Sequence, residues 1–299
     1  MTTTRLGSGF VSLLLIFELF GCADHRLQVV TPGADRLRVK SITQHVSGSS
    51  SVSTVSAFSY DGQGRIRLIV AYQLPDSAVA PVENTVYQYD NQHRLTQVQH
   101  STVRRGSATE TYTLTYDNTG RMTQLTNEPS TFRLEPRYNS DNKVSSYNRG
   151  VNIGGLQSTG ASSFTFTGNN LTRAYEEFSV NRTGGPSGQI VYSRVVNATY
   201  TFDDKINPFY GVFLIPAPGV FLQFPTTPSM FGPSYTLYGG VDNPYNLSQN
   251  NVLTAALSSG ILATYVYNYT YNAANLPTTR TTTRNGDVTE ILHYEYEPH

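Results

Sequence analysis

The sequence predicts an all-β chain, a large antiparallel meander of hairpins whose sheet is strongly curved or barrel-like. Three observations lead there. A short cassette of turn residues recurs along the chain, the segments between copies alternate apolar and polar residues, and no long amphipathic helical run occurs. Composition agrees. Only 14% of the residues are charged, against a usual ~25%, and 21 Tyr and 14 Phe stand among many Ser, Thr, Asn and Gln. The 21 basic and 21 acidic residues cancel, which leaves no electrostatic footprint for a nucleic-acid partner.

The chain opens on Arg5 and an apolar run, Phe10 to Phe20, interrupted by Glu18. That run is about half the ~20 residues of a membrane-spanning helix, so residues 1–21 read as a secretory signal peptide. Its end, Leu19-Phe20-Gly21-Cys22, holds the only cysteine and resembles the lipobox of bacterial lipoproteins. The resemblance implies cleavage before Cys22, a diacylglyceryl group on its thiol and acylation of its freed amine. Each buried methylene adds roughly 0.8 kcal/mol, so two or three chains anchor the protein to a membrane. Ala23 stands where that family often carries the Asp of inner-membrane retention. The implied location is therefore the outer membrane, with the periplasmic or surface face left open. Residues 22–35 read as lipidated Cys and tether, and residues 36–299 as a single β-repeat domain.

Within that domain the cassette is Tyr60-Asp61-Gly62-Gln63-Gly64-Arg65-Ile66, then Tyr89-Asp90-Asn91-Gln92-His93-Arg94-Leu95, then Tyr116-Asp117-Asn118-Thr119-Gly120-Arg121-Met122. Tyr138-Asn139-Ser140-Asp141-Asn142-Lys143-Val144 follows, with weaker copies at Phe166 to Leu171 and Tyr271 to Leu276. Asp or Asn opens a type I turn by capping it with its side chain. A left-handed residue then completes a three-residue hairpin loop. The residue expected at positive φ is Gly64, His93, Gly120, Asn142, Asn170 and Asn275 in the six copies, all types that tolerate it. The flanks alternate as strands do: Tyr112, Leu114 and Tyr116 share one face, and Tyr265, Tyr267, Tyr269 and Tyr271 another. One hairpin per cassette gives about 12–16 strands, a sheet that has to curl or close to protect its edges.

The pattern Tyr-Asp-x-x-Gly-Arg-hydrophobic at Tyr116 to Met122 resembles the YD repeat of Rhs-type and teneurin-type shells. The layout from about residue 36 to 299 is also similar to a family of Gram-negative lipoproteins of unknown function with a porin-like fold. That likeness is carried by the cassettes, Asp203 to Phe209, Leu247 to Val252 and Tyr294 to Glu297. It implies a curved or barrel-like sheet and no established activity. A membrane-inserted barrel fits poorly, since lipid-facing strands are continuously apolar whereas Thr, Ser, Gln and Asn recur here on many faces.

One segment departs from the repeat. Residues 206–241 carry six prolines and many aromatics with no charged residue after Lys205 until Asp242, which forbids a regular helix or central strand. Either Phe209, Tyr210, Phe213, Phe221, Phe224 and Phe231 form an apolar contact surface for a partner, or the segment folds over the sheet opening as a plug. The plug is favoured. Elsewhere the search for catalysis fails: no His keeps metal-ligand spacing. Glu176-Glu177 and Asp203-Asp204 point to opposite faces of a strand and read as solvated or turn residues. No catalytic residue, metal or cofactor is expected. The expected function is a non-catalytic, lipid-anchored envelope protein with a binding or structural role, its partner a glycan or an envelope protein. Tyr-rich faces suited to sugar stacking make carbohydrate binding the alternative. An enzyme with its site in a barrel mouth ranks last.

Overall fold

A computed structural model describes residues 37–47, 52–75, 82–102, 109–128, 131–153, 155–183, 190–212, 244–258 and 262–299. The signal peptide, Cys22 and the tether lie outside these residues. Sixteen strands follow in order: β1 (Leu37–Val46), β2 (Ser53–Tyr60), β3 (Ile66–Leu74), β4 (Glu83–Tyr89), β5 (Leu95–Thr102), β6 (Thr109–Tyr116), β7 (Met122–Glu128) and β8 (Arg133–Tyr138). Then come β9 (Val144–Ile153), β10 (Leu156–Thr167), β11 (Asn170–Arg182), β12 (Ile190–Ile206), β13 (Asn250–Ser258), β14 (Leu262–Tyr271), β15 (Pro277–Arg284) and β16 (Asp287–Pro298). A 3-10 turn, Pro244–Leu247, precedes β13.

Each strand pairs with its chain neighbours, and β16 returns to β1, so the meander is a closed 16-strand barrel. Closure runs from Leu37–Pro298 to Val46–Glu290. Because successive strands reverse, every cassette turn falls at one end of the barrel, which also carries the start of β1 and the end of β16. We refer to it as the cassette end.

The turn chemistry follows the sequence at five of six copies. Gly64, His93, Gly120, Asn142 and Asn275 have φ of 77°, 65°, 83°, 59° and 59°, and each hairpin carries a register shift beside its Tyr. Asn170 is the exception. It pairs with Thr167 as the first residue of β11, and Gly168 takes the left-handed place at φ 57°. A two-residue Gly168-Asn169 loop closes this hairpin, because Gly at the first loop position enters positive φ without the Cβ penalty that Asn would incur. The turn between β15 and β16 is of the same short kind, with Asn285 and Gly286 at φ 52° and 100°.

Alternation sets what faces inward. On β6, Glu110, Tyr112 and Leu114 are buried while Thr109, Thr113 and Thr115 are exposed. Inward side chains from all around the wall, among them Val39, Ile42, Ile69, Val98, Leu125, Leu134, Tyr147, Ala174 and Leu292, form one apolar core at 0–3% exposure. A circular barrel of this strand number would keep an aqueous lumen, and its inward residues would be wet. Here they are dry and pack together as one side-chain cluster. The outward faces carry Thr, Ser, Asn, Gln and charged residues, the reverse of a lipid-facing barrel.

Candidate functional site

The repeated motif explains itself at the cassette end. Asp61 accepts the backbone N–H of Gln63 and Arg65 at 2.9 and 3.0 Å, and the Arg65 Nε at 2.7 Å. Asp90 with Arg94 and Asp117 with Arg121 repeat the arrangement. Hydrogen bonds from the Thr119 hydroxyl, then from Arg121, hold Asp117 well below the ordinary carboxylate range. Burial would raise the Asp61 carboxyl, but the bonds from Arg65 and Gln63 outweigh it and lower it.

Arg65, Arg94 and Arg121, each aimed by its own Asp, and Arg38, held by Glu297 at 2.8 Å, then reach the next hairpin. Arg38, Arg65, Arg94 and Arg121 stack on Tyr60, Tyr89, Tyr116 and Tyr138 with 4.2, 4.1, 4.9 and 5.5 Å to the ring centres. The backbone ladder between hairpins stops short of this end, at Ser41–Ala57, Leu68–Val86, Gln97–Thr113 and Leu125–Leu134. The tyrosine hydroxyls take over, donating to the carbonyls of Val39, Ile66, Leu95 and Met122 at 2.6–3.0 Å. The residue after the arginine is thus the one whose carbonyl the next tyrosine satisfies. The motif is a clasp between neighbouring hairpins.

The start of the Pro-rich segment, residues 207–212, and the 3-10 turn Pro244–Leu247 lie together at this opening. Asn207 accepts from Phe209 N–H, and its Nδ2 reaches the carbonyls of Tyr245 and Ser248 at 3.3 and 3.2 Å. Asn246 Nδ2 donates to Val212 O at 2.7 Å. Phe209 is 5% exposed and stacks on Phe58 of β2 at 6.0 Å; Tyr210 is half-buried. Tyr245 sits edge-on between Tyr200 and Tyr267, with centroids 5.6 and 5.9 Å away, and accepts the Tyr267 hydroxyl at 3.1 Å. A small cavity of about 30 Å³ remains beneath, bounded by Phe209, Tyr245, Tyr267, Tyr269, Arg280 and Tyr294. It has room for about one water. Phe213, Phe221, Phe224 and Phe231 lie outside the described residues.

Deeper in, polar side chains replace apolar ones. Glu290 accepts Gln44 Nε2 at 2.6 Å and Arg280 Nη2 at 2.9 Å, and Arg280 faces the Tyr267 ring at 5.4 Å. Arg149 of β9 reaches over β10 to Glu176 of β11 at 2.8 Å. Its cross-strand neighbour on β10 is Gly160, where a Cβ would lie 3.1 Å from Arg149 Nε. His100 Nδ1 lies 2.6 Å from the Thr85 hydroxyl, and burial pushes the ring down to about 4. Glu83 lies 3.7 Å from Nε2, beyond hydrogen-bond reach, so the imidazole is neutral. Glu110 accepts the Tyr112 hydroxyl at 2.6 Å.

Glu176 corrects the sequence reading. It is 2% exposed and ion-paired, while Glu177 alone is outside. Its signal was available, since Ala174, Glu176, Phe178 and Val180 alternate on one buried face. Asp203 is likewise engaged, accepting from Asn251 N–H and Nδ2 at 3.1 Å and from the Tyr271 hydroxyl, whereas Asp204 is solvated. Tyr265, Tyr267 and Tyr269 of the stripe pack in or against the core, and Tyr271 stacks on Tyr269 and bonds Asp203. Among the described residues, no three His, Cys, Asp or Glu side chains are placed to hold a metal ion. The buried carboxylates of Glu110, Glu176 and Glu290 sit apart, each against a hydroxyl, cation or amide.

No family model matches the chain, and no curated protein matches it. Among solved structures, a porin-like protein from Bacteroides uniformis ATCC 8492 superposes with a TM-score of 0.50 at 16% identity, covering 87% of this chain and 98% of that one. A porin-like protein from Bacteroides vulgatus ATCC 8482 gives 0.43 at 10% identity, covering 88% and 100%. At 16% identity the first likeness is one of fold: this chain shares the closed antiparallel barrel of that Bacteroides protein.

Proposed function

We propose that this chain is a non-catalytic lipoprotein of the outer membrane, anchored through Cys22, whose barrel is a closed scaffold with a binding or structural role and not a channel. The observation that carries the reading is the dry, side-chain-filled interior under polar outward faces. Such a wall is shaped for water outside and packing inside, so attachment falls to the lipid chains and not to the strands. The fold shared with a protein described as porin-like supports an envelope setting.

Fractionation with a Cys22→Ala variant tests this. The wild type should stay with carbonate-washed membranes, and Cys22→Ala, with unchanged β-sheet circular dichroism, should move to the soluble fraction. Retention of the variant in the membrane pellet would mean that the barrel itself is inserted and would sink the proposal.

A second reading, glycan binding, has one observation in its favour. A groove of about 300 Å³ crosses β8–β10, with Arg133, Glu135, Asn148, Asn152 and Gln157 along it. Its amides and paired charges match a hydroxyl-rich neutral ligand. Saturable binding of a soluble polysaccharide, lost in Asn148→Ala with Gln157→Ala, would support it.

A further inference from the structure

We propose that the cassette end of the barrel faces the bilayer, set against the phospholipid headgroups of the leaflet that holds the Cys22 chains, and that the opposite end is presented away from it. The inference rests on the Cys22 anchor proposed above. Its geometric basis is where the chain enters the wall: β1 begins at Leu37, beside Pro298, at the cassette end. Fifteen residues, 22–36, separate that point from the anchor. A random-coil chain of that length has a mean span of about 21 Å, from 5–6 Å times the square root of its residue number.

The wall is of similar size. The strand that the tether enters, β1, has ten residues, or about 33 Å along the strand. At the usual tilt that is roughly 25 Å of height. With the cassette end down, the tether spans only the gap to the membrane and keeps its freedom. With the opposite end down, its root would stand a full barrel height above the bilayer, so the tether would be stretched to or past its mean span and lose entropy.

The chemistry of the rim suits a headgroup surface. Among the described residues its exposed tips include Gln63, Asn91, Gln92, Asn118, Thr119 and Asn169, neutral groups that exchange hydrogen bonds with headgroups as readily as with water. Behind them, Asp61, Asp90 and Asp117 are each paired with their own arginine, and Arg38 with Glu297 and Lys205 with Asp204. These paired charges give an anionic leaflet little to repel or to pull. Exposed apolar residues stand at both ends, Leu37 and Ile206 at this one and Val46, Leu74, Ile190, Leu262 and Val288 at the other.

The experiment uses the full lipidated protein, in which the Cys22 thiol is consumed and one new cysteine can be labelled alone. Asn118→Cys marks the cassette end and Asp287→Cys the other; both side chains are exposed. Each labelled protein is reconstituted in phosphatidylethanolamine–phosphatidylglycerol vesicles bearing a nitroxide on the headgroup. Quenching at position 118 should exceed that at 287 several-fold and persist in high salt. Equal or reversed quenching, in protein that floats with the vesicles, would overturn the orientation while leaving the anchor standing. Protein that does not float with vesicles would remove the anchor and the orientation with it.

Discussion

The ion pair that crosses β10 offers the sharpest test of how the interior is built. Arg149 and Glu176 have side chains 12% and 3% exposed, 2.8 Å apart. Glu176→Leu would leave a guanidinium in the core without its carboxylate, a change that costs about 3–5 kcal/mol when one partner of a buried pair is removed. The partial exposure of Arg149 favours the lower end, about 3 kcal/mol. For a domain of this size that corresponds to a melting temperature lower by roughly 6–12 °C. Pairing Glu176→Leu with Arg149→Met removes both charges and keeps the volume, and should return stability to within about 1 kcal/mol of wild type. Gly160→Ala probes the same crossing differently. Its Cβ would lie 3.0 Å from Glu177 O and 3.1 Å from both Arg149 Nε and Phe178 Cβ, so overpacking of about 1–3 kcal/mol is expected. Urea denaturation read by circular dichroism and tyrosine fluorescence, unobscured by Trp, gives all four values. A coupling energy below about 0.5 kcal/mol in the Arg149–Glu176 cycle would refute the reasoning, because contacting buried charges are not additive.

Two further expectations follow from other parts of the molecule. Gly120→Ala meets nothing within 4 Å, so it should cost only the positive-φ penalty, about 1–2 kcal/mol. Gly64→Ala pays that and also drives its Cβ into the His299 ring, the far end of a side chain that can swing aside; its cost in urea melts should exceed that of Gly120→Ala by a small margin and fall to match it in a His299→Ala background. Equal costs at the two glycines would remove His299 from the seam. For His100, the folded-state value of about 4 lies below the ordinary 6.5, so the unfolded chain takes up the proton first. Stability from this group is complete above about pH 6.5 and falls by about 3 kcal/mol as pH drops to about 4. His100→Gln should lack that part of the acid slope; identical slopes for the two proteins would mean that the ring is charged in the fold.

The hairpins were legible in the sequence because a turn is a local object. Asp61, Gly64 and Arg65 are within four residues of one another, and the φ that Gly64, His93 or Asn142 must adopt restricts residue type there. Asn170 misled because Gly168 stood two places earlier and met the same requirement at lower cost. Strand faces were legible too, and Glu110, with the same parity as Tyr112 and Leu114, shows that even its polar interior position was written in the alternation. The reason for the arginine in these cassettes was not legible, because it acts on the tyrosine of the following hairpin, 17 to 24 residues away. Closure lay further still: Arg38 meets Glu297 at 2.8 Å across 259 residues. By itself, then, the sequence determined the turns and the two-faced strands, set by neighbours along the chain. Only the tertiary structure decided that β16 returns to β1, that the inward side chains join in one core, and that Phe209 and Tyr245 turn inward to join it. Those outcomes depend on sixteen strands sharing one enclosed volume, and no local stretch of the chain carries a measure of it.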